Sequence, residues 1–253
     1  ADPARVAAIA DRVAGWHRLS ALAPGDKRLA LILSTYPGKR YQMAHAVGLD
    51  ALASCAAILG ALKDEGYAAA AVHDPGTRLT GETLSWPLED YHAALAVLPA
   101  ALRDDLQRVW GTPEDDPIAR DGAFHFSALR AGKMLVALQP ERGEVTARDG
   151  DYHDLGRTPR HGYVAFYLWL RGRVDALVHI GAHGTLEWLP GKAVALSDDC
   201  WPEALTGALP VIYPFIVNDP GEAAQAKRRI GAVTLGHLPP PLAQTVLPEG
   251  LGR

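Results

Sequence analysis

The chain of 253 residues is 48% hydrophobic and 21% charged, proportions of an ordinary globular protein with one large or two small domains. With 25 basic and 29 acidic residues its net charge is -4, which argues against a general nucleic-acid binder, since nothing supplies the basic field such binding needs. No apolar run approaches the ~18–20 residues of a membrane span, the first residues lack a signal peptide's layout, and Cys55 and Cys200 form no cluster, so a reduced, cytoplasmic protein is expected.

In chain order, Val6, Ile9, Val13, Trp16 and Leu19 recur at helical spacing and predict an amphipathic helix over 5–19, broken at Pro24-Gly25-Asp26. Leu29 to Leu33 is a short, wholly apolar run of the kind buried on both faces of a parallel sheet. It leads into the turn-rich loop Ser34-Thr35-Tyr36-Pro37-Gly38-Lys39-Arg40. A helix over Ala51–Glu65 follows, then a weaker strand over Ala68–Val72 and a helix over 90–109. Gly111 to Pro117, rich in Pro, Gly and acids, reads as a linker between an N-terminal α/β region (1–112) and a C-terminal α/β region (118–253). Beyond it the pattern gives a strand over Lys133–Gln139, a helix over Gly162–Arg171, and strands over Ala176–Ile180 and Val211–Val217. A last helix, capped by Asp219 with Pro220 and Glu222 in its first turn, runs to Arg229.

Strands alternating with helices imply an α/β fold, a parallel sheet flanked by helices in Rossmann- or flavodoxin-like layers. Ligands in such sheets sit at the carboxyl ends of strands. The unusual residues cluster there: Tyr36 to Tyr41, Gln139 to Gly143, His179 to Lys192 and Asn218 to Glu222.

His179, His183 and Glu187 are spaced four apart, which on a helix would make a zinc-like face. Gly181, Gly184 and the preceding apolar strand point instead to a strand-end loop that brings two imidazoles and a carboxylate to one cleft. Imidazole suits borderline divalent ions, and a carboxylate can act as ligand or base. His183 and Glu187 are the candidates for those two roles, in either order, with His179 as a further metal ligand; a strand-end histidine bonded to the backbone is the alternative for His179. Arg142, ending another strand, and the cations Lys227 and Arg228 are candidates to meet substrate carboxylates. His153 and His161 read as structural. No P-loop is present: Gly184 and Gly191-Lys192 are wrongly spaced and Ala193 stands where a Ser or Thr is needed. Any nucleotide hydrolysis must come from another chain.

These residues carry a resemblance. H-I-G-A-H-G-T-L-E-W-L-P-G-K at 179–192, C-W-P-E-A-L at 200–205, Y-P-F-I-V-N-D-P-G-E-A-A-Q-A-K-R-R at 213–229 and, more weakly, H-L-P-P-P-L at 237–242 are similar to the core of large cobaltochelatase subunits of the CobN type. T-Y-P-G at 35–38, V-G-L-D-A-L-A-S at 47–54 and A-L-Q-P-E-R-G at 137–143 resemble family segments in the same order. The related H-type subunits of magnesium chelatase share the H-G-x-L-E core, but there F-M-P-G-K and N-N-P-S-E are typical, where this chain has Trp188-Leu189 and Asp219-Pro220-Gly221. Family members are several times longer, and both ends of this chain read as cut.

The resemblance implies a tetrapyrrole-binding subunit that inserts Co2+ into hydrogenobyrinic acid a,c-diamide on the route to cobalamin. It implies an AAA+ ATPase partner of the CobS kind, which uses ATP and Mg2+, and a metal-binding-domain partner of the CobT kind. By motif, His179, His183 and Glu187 fall in the family's central loop, and Lys192, Asp219, Glu222, Lys227 and Arg228 in flanking segments. Lys192 thereby joins Arg142, Lys227 and Arg228 as a substrate-binding candidate. The alternatives are an H-type magnesium chelatase subunit acting on protoporphyrin IX and a binding or scaffold fragment without catalysis of its own.

Overall fold

A computed structural model of the chain describes residues 2–34, 45–46, 49–143, 155–181, 184–216 and 220–237. The chain opens with helix α1 (Pro3–Ala21), strand β1 (Leu29–Leu33), and the short strands β2 (His45–Ala46) and β3 (Leu49–Asp50). Helices α2 (Ala51–Asp64) and α3 (Pro75–Gly81), strand β4 (Thr83–Pro87), and helices α4 (Leu88–Ala96) and α5 (Ala100–Trp110) come next. After the linker lie β5 (Ala119–Arg120), β6 (Ala123–Ala131), β7 (Met134–Leu138), α6 (His161–Arg171) and β8 (Ala176–Ile180). The described chain closes with α7 (Trp201–Thr206), β9 (Val211–Ile216), α8 (Pro220–Arg229) and β10 (Val233–His237).

One sheet of eight strands runs β10-β9-β8-β1-β7-β6-β4, with β5 on β6. The stretch from β10 to β7 is the parallel sheet expected from the alternating pattern. The remainder, β6, β4 and β5, is antiparallel and was not anticipated. In β6 the alternation that makes it a strand is Phe124, Phe126 and Ala128, which turn to one face. Strands from both sides of the 111–117 linker share this sheet, since β1 lies between β7 and β8.

β1 is buried along its whole length because both faces of the sheet are covered. Leu29, Leu31 and Leu33 meet Val136, Val178 and Ile180 and the Ala51, Cys55 and Leu59 face of α2. Burial pushes the Cys55 thiol up to about 12, an unreactive core cysteine. Ala30 and Ile32 face the opposite layer, where α4, α5, α6 and α7 pack through Tyr91, Leu102, Leu106, Phe166, Trp169 and Trp201. Every residue of α6 from His161 to Leu170 is buried, so its lack of a polar face follows from being sandwiched between the sheet and other helices.

Three expectations change. The helix expected over 90–109 is two, because Pro99 has no N–H to continue the first. Ala68–Val72 is not a strand: it makes a single bridge, Ala69 to Gly132, across the β6–β7 turn. Gly132 holds φ +69 there, and a Cβ on it would stand 2.2 Å from the Ala68 carbonyl oxygen. Helix α1 forms where the spacing puts it, but Val6, Ile9 and Val13 are 55–65% exposed. Its opposite side carries the contacts: Arg5 and Arg12 both pair with Glu203 of α7, at 3.1 and 2.6 Å. Among the described residues no helix is long and apolar enough to cross a membrane.

Gly15 lets α1 approach the 206–210 segment so closely that a Cβ would lie 2.2 Å from the Ala208 carbonyl oxygen. Gly15→Ala gains helix propensity yet overpacks this contact, and is expected to destabilise the protein by about 1–3 kcal/mol. Urea unfolding checks this; an unchanged or higher midpoint would contradict it.

Candidate functional site

The carboxyl ends of β1, β7 and β8 lie side by side. The chain leaves β7 through α6 and returns at β8 on the far side of β1. Beyond β8 it builds outward to β9 and β10, so the connections diverge at β1, the kind of crevice in which α/β sheets bind ligands. Ser34 follows β1, Gln139 follows β7, and His179 is the penultimate residue of β8.

His179 alternates with Val178 and Ile180, which face the α2 layer, so its ring points under α6 and is 0% exposed. Its Nε2 is 2.9 Å from the Tyr167 hydroxyl and its Nδ1 3.4 Å from Ser34 Oγ. The ring stacks on Tyr213 (5.6 Å, 7° between planes) and on Tyr167 (6.4 Å, 14°). Gln139 Nε2 donates to the hydroxyls of Tyr167 at 2.6 Å and Tyr163 at 3.1 Å, and the Tyr163 hydroxyl meets Thr185 Oγ1 at 2.9 Å. One assignment satisfies this chain: Tyr167, accepting from Gln139, gives its proton to His179 Nε2, and the Nδ1–H of His179 points to Ser34. Burial drives the His179 pKa down to about 4, and it raises those of Tyr163 and Tyr167. The network is therefore neutral across the physiological range.

Above it sits the turn that follows β8. Glu187 lies in a 3₁₀ turn, Leu186–Trp188, and is 0% exposed. Its Oε1 accepts from the Tyr213 hydroxyl at 2.9 Å and from the Gly184 N–H at 3.2 Å. Gly184 N also contacts the Tyr213 hydroxyl. A Cβ at Gly184 would stand 3.1 Å from His179 Cε1 and 3.2 Å from the Tyr213 hydroxyl, so glycine is what lets the turn close over the imidazole. The structure thus joins His179 and Glu187 through Tyr213, in a strand-end turn rather than on one face of a helix.

The other expected residues are placed differently. Arg142 is 6% exposed and donates to the Trp188 carbonyl at 3.0 Å, holding the backbone beside Glu187. Lys192 is exposed, its Nζ 2.8 Å from Ser197 Oγ. Lys227 and Arg228 are exposed in the last turn of α8. His161 is structural as expected, bonded to the Tyr91 hydroxyl at 2.8 Å and the Gly111 carbonyl at 3.0 Å. His153, His183, Asp219 and the loop Tyr36 to Tyr41 lie outside the described residues, as does the side chain of Glu222. Sequence reasoning passed over Tyr163, Tyr167 and Tyr213. The available signal was two hydroxyl-bearing residues four apart in the otherwise apolar α6, which requires polar partners inside the core.

The low pKa of His179 links to stability. A native state that refuses a proton accepted by the unfolded chain is fully stable above the unfolded value, near 6.5. It loses stability as pH falls through the window down to about 4. The loss attributable to this ring is on the order of 3 kcal/mol. Urea midpoints measured from pH 7 to pH 4 should fall steeply for the natural protein and less steeply for His179→Gln. Parallel curves would contradict it.

Comparison with known proteins places the whole chain, residues 1–253, within the family described as CobN/Magnesium Chelatase. The chain is 44% identical over 263 residues to the aerobic cobaltochelatase subunit CobN of Pseudomonas aeruginosa, an alignment covering 96% of this chain and 21% of that protein. It is 34% identical over 251 residues to the H-type magnesium-chelatase subunit of Chlorobaculum parvum, covering 92% of this chain and 19% of that one. Among solved structures, the catalytic subunit of cobaltochelatase from Mycobacterium tuberculosis superposes with a TM-score of 0.83 at 38% identity, covering 94% of this chain and 22% of that chain. The chain spans about a fifth of the length of these relatives.

Proposed function

This chain belongs to the CobN/magnesium chelatase family, and on that premise we propose that it forms the strand-end crevice at which a cobaltochelatase large subunit inserts Co2+ into a tetrapyrrole. The ring proposed is hydrogenobyrinic acid a,c-diamide. The supports for cobalt over magnesium are the 44% identity to a CobN subunit against 34% to an H-type relative, and the Trp188-Leu189 sequence of the central turn. The setting proposed is a cytoplasmic complex with an AAA+ ATPase subunit, which uses ATP and Mg2+, and a metal-binding-domain subunit.

The observation that carries this reading is Glu187, a buried carboxylate turned by the Tyr213 hydroxyl and the Gly184 N–H at the end of the central strands. Metal insertion exchanges two pyrrolic N–H protons for one divalent ion. It needs a group that accepts those protons one at a time and a ligand that releases the ion readily. Glu187 and His183 share these two tasks. His179 was a third candidate ligand, but both its nitrogens are engaged by Tyr167 and Ser34, so its part is to hold Tyr213, and with it Glu187, in place. Arg142 acts likewise, through the Trp188 carbonyl. Lys192, Lys227 and Arg228, all exposed, are the cations proposed to meet peripheral carboxylates.

In the full-length protein, Glu187→Gln should slow cobalt insertion with partners and ATP present by about 10²-fold or more, the usual contribution of a positioned acid–base group. Tetrapyrrole binding, followed by tryptophan quenching, should stay near the natural value. An unimpaired insertion rate sinks the assignment. The same quenching assay separates the two family branches: a corrinoid precursor should bind at least tenfold more tightly than protoporphyrin IX, and the reverse order would favour the magnesium branch.

A further inference from the structure

Arg229 ends α8 beside two exposed cations, Lys227 and Arg228, yet its own side chain is only 2% exposed. A guanidinium keeps its charge at any ordinary pH, so a buried one must be held by good hydrogen bonds or it destabilises the fold. Its partners among the described residues are two backbone carbonyls: Nη1 donates to Glu187 O at 2.5 Å and Nε to Lys192 O at 3.1 Å. One planar fork thereby ties together the two ends of a six-residue turn. Nη2 is buried with no partner among the described residues. Burial lowers the pKa of the group, against the opposing influence of Cys200 and Glu187.

The turn it grips has little other freedom. Gly191, at φ +145, packs so tightly that a Cβ would meet Cys200 Cβ at 2.7 Å. Trp201 N donates to the Pro190 carbonyl at 3.0 Å, and Arg142 takes the Trp188 carbonyl from the β7 side. Consecutive carbonyls, those of Glu187 and Trp188, are thus held by guanidinium groups arriving from opposite directions.

We propose that Arg229 is a positioning residue for metal insertion, clamping the 187–192 turn from α8 so that the Glu187 carboxylate is held at the strand-end crevice. This rests on the role proposed for Glu187. The function requires arginine: a lysine ammonium has the charge but no rigid fork with which to bridge two carbonyls.

The test uses the full-length protein with its partners, ATP, Co2+ and the corrinoid precursor. Arg229→Lys should lower kcat at least tenfold while the Kd for the tetrapyrrole stays within twofold. Arg229→Ala should fall further and regain at least threefold in kcat when guanidinium ion is added at millimolar concentration. In a Glu187→Gln background, Arg229→Lys should slow the reaction by no more than twofold, because its effect passes through that carboxylate. A natural kcat in Arg229→Lys, a weakening of tetrapyrrole binding in proportion to the lost rate, or full additivity of the two substitutions would each overturn the proposal. Should Arg229→Ala fail to fold, Arg229→Lys and the double variant decide it alone. Failure of Glu187 itself reads out separately, as full activity in Glu187→Gln.

Discussion

The imidazole of His179 lies in a layer from which water is excluded, between the central strands and a helix buried from His161 to Leu170, and a polar ring there must find both partners within the protein. Each such bond adds only about 1 kcal/mol, but leaving one unmade costs about 1–3 kcal/mol, so the network is specified more by the penalty of breaking it than by its strength. Satisfying His179 commits Tyr167 of α6, Ser34 at the end of β1 and, through Tyr167, Gln139 at the end of β7. The three central strands and the helix above them are thereby locked together at the carboxyl ends of the strands. The stacked Tyr213 extends the same constraint to β9 and ends it on the Glu187 carboxylate.

Two layers of different chemistry result. The lower one is neutral, made of tyrosine hydroxyls, an amide, a hydroxyl and an unprotonated imidazole. The upper one is a turn whose backbone is held by Arg142 and Arg229 and whose carboxylate faces the lower layer's last tyrosine. Charge is kept to the upper layer. The buried network has nothing that changes protonation near neutral pH, so it keeps one geometry beneath the turn.

Much of this was legible in the residues. The five apolar residues of β1, the strand into His179 and the helix from Pro220 all follow from periodicity and turn chemistry that depend on a few neighbours. The antiparallel strands β4 and β6 were missed because their pairing is set by each other's side chains across the sheet. Ala68–Val72 failed as a strand because it was judged on apolarity alone, and the β6–β7 hairpin offers it a single bridge. Glu187, which lies buried in the turn after β8, could be singled out as a candidate from sequence. The distinction between Arg229, turned inward, and Arg228, turned outward, could not: adjacent residues on a helix differ by about 100°, and only the position of the 187–192 turn decides which one is covered.

The central position of β1 also shapes how the chain comes into being. Leu29 to Leu33 is made well before its two neighbours in the sheet, Met134–Leu138 and Ala176–Ile180. More than a hundred residues must be added before the first appears and some forty more before the second. At ribosomal speeds of about 5–20 residues per second, a fully apolar strand waits roughly seven to thirty seconds for its second partner, with both edges bare until the first is made. The placement that lets β1 join the two sides of the sheet also makes the nascent chain prone to aggregate, and puts a demand for chaperone protection on the interval between the synthesis of β1 and that of β8.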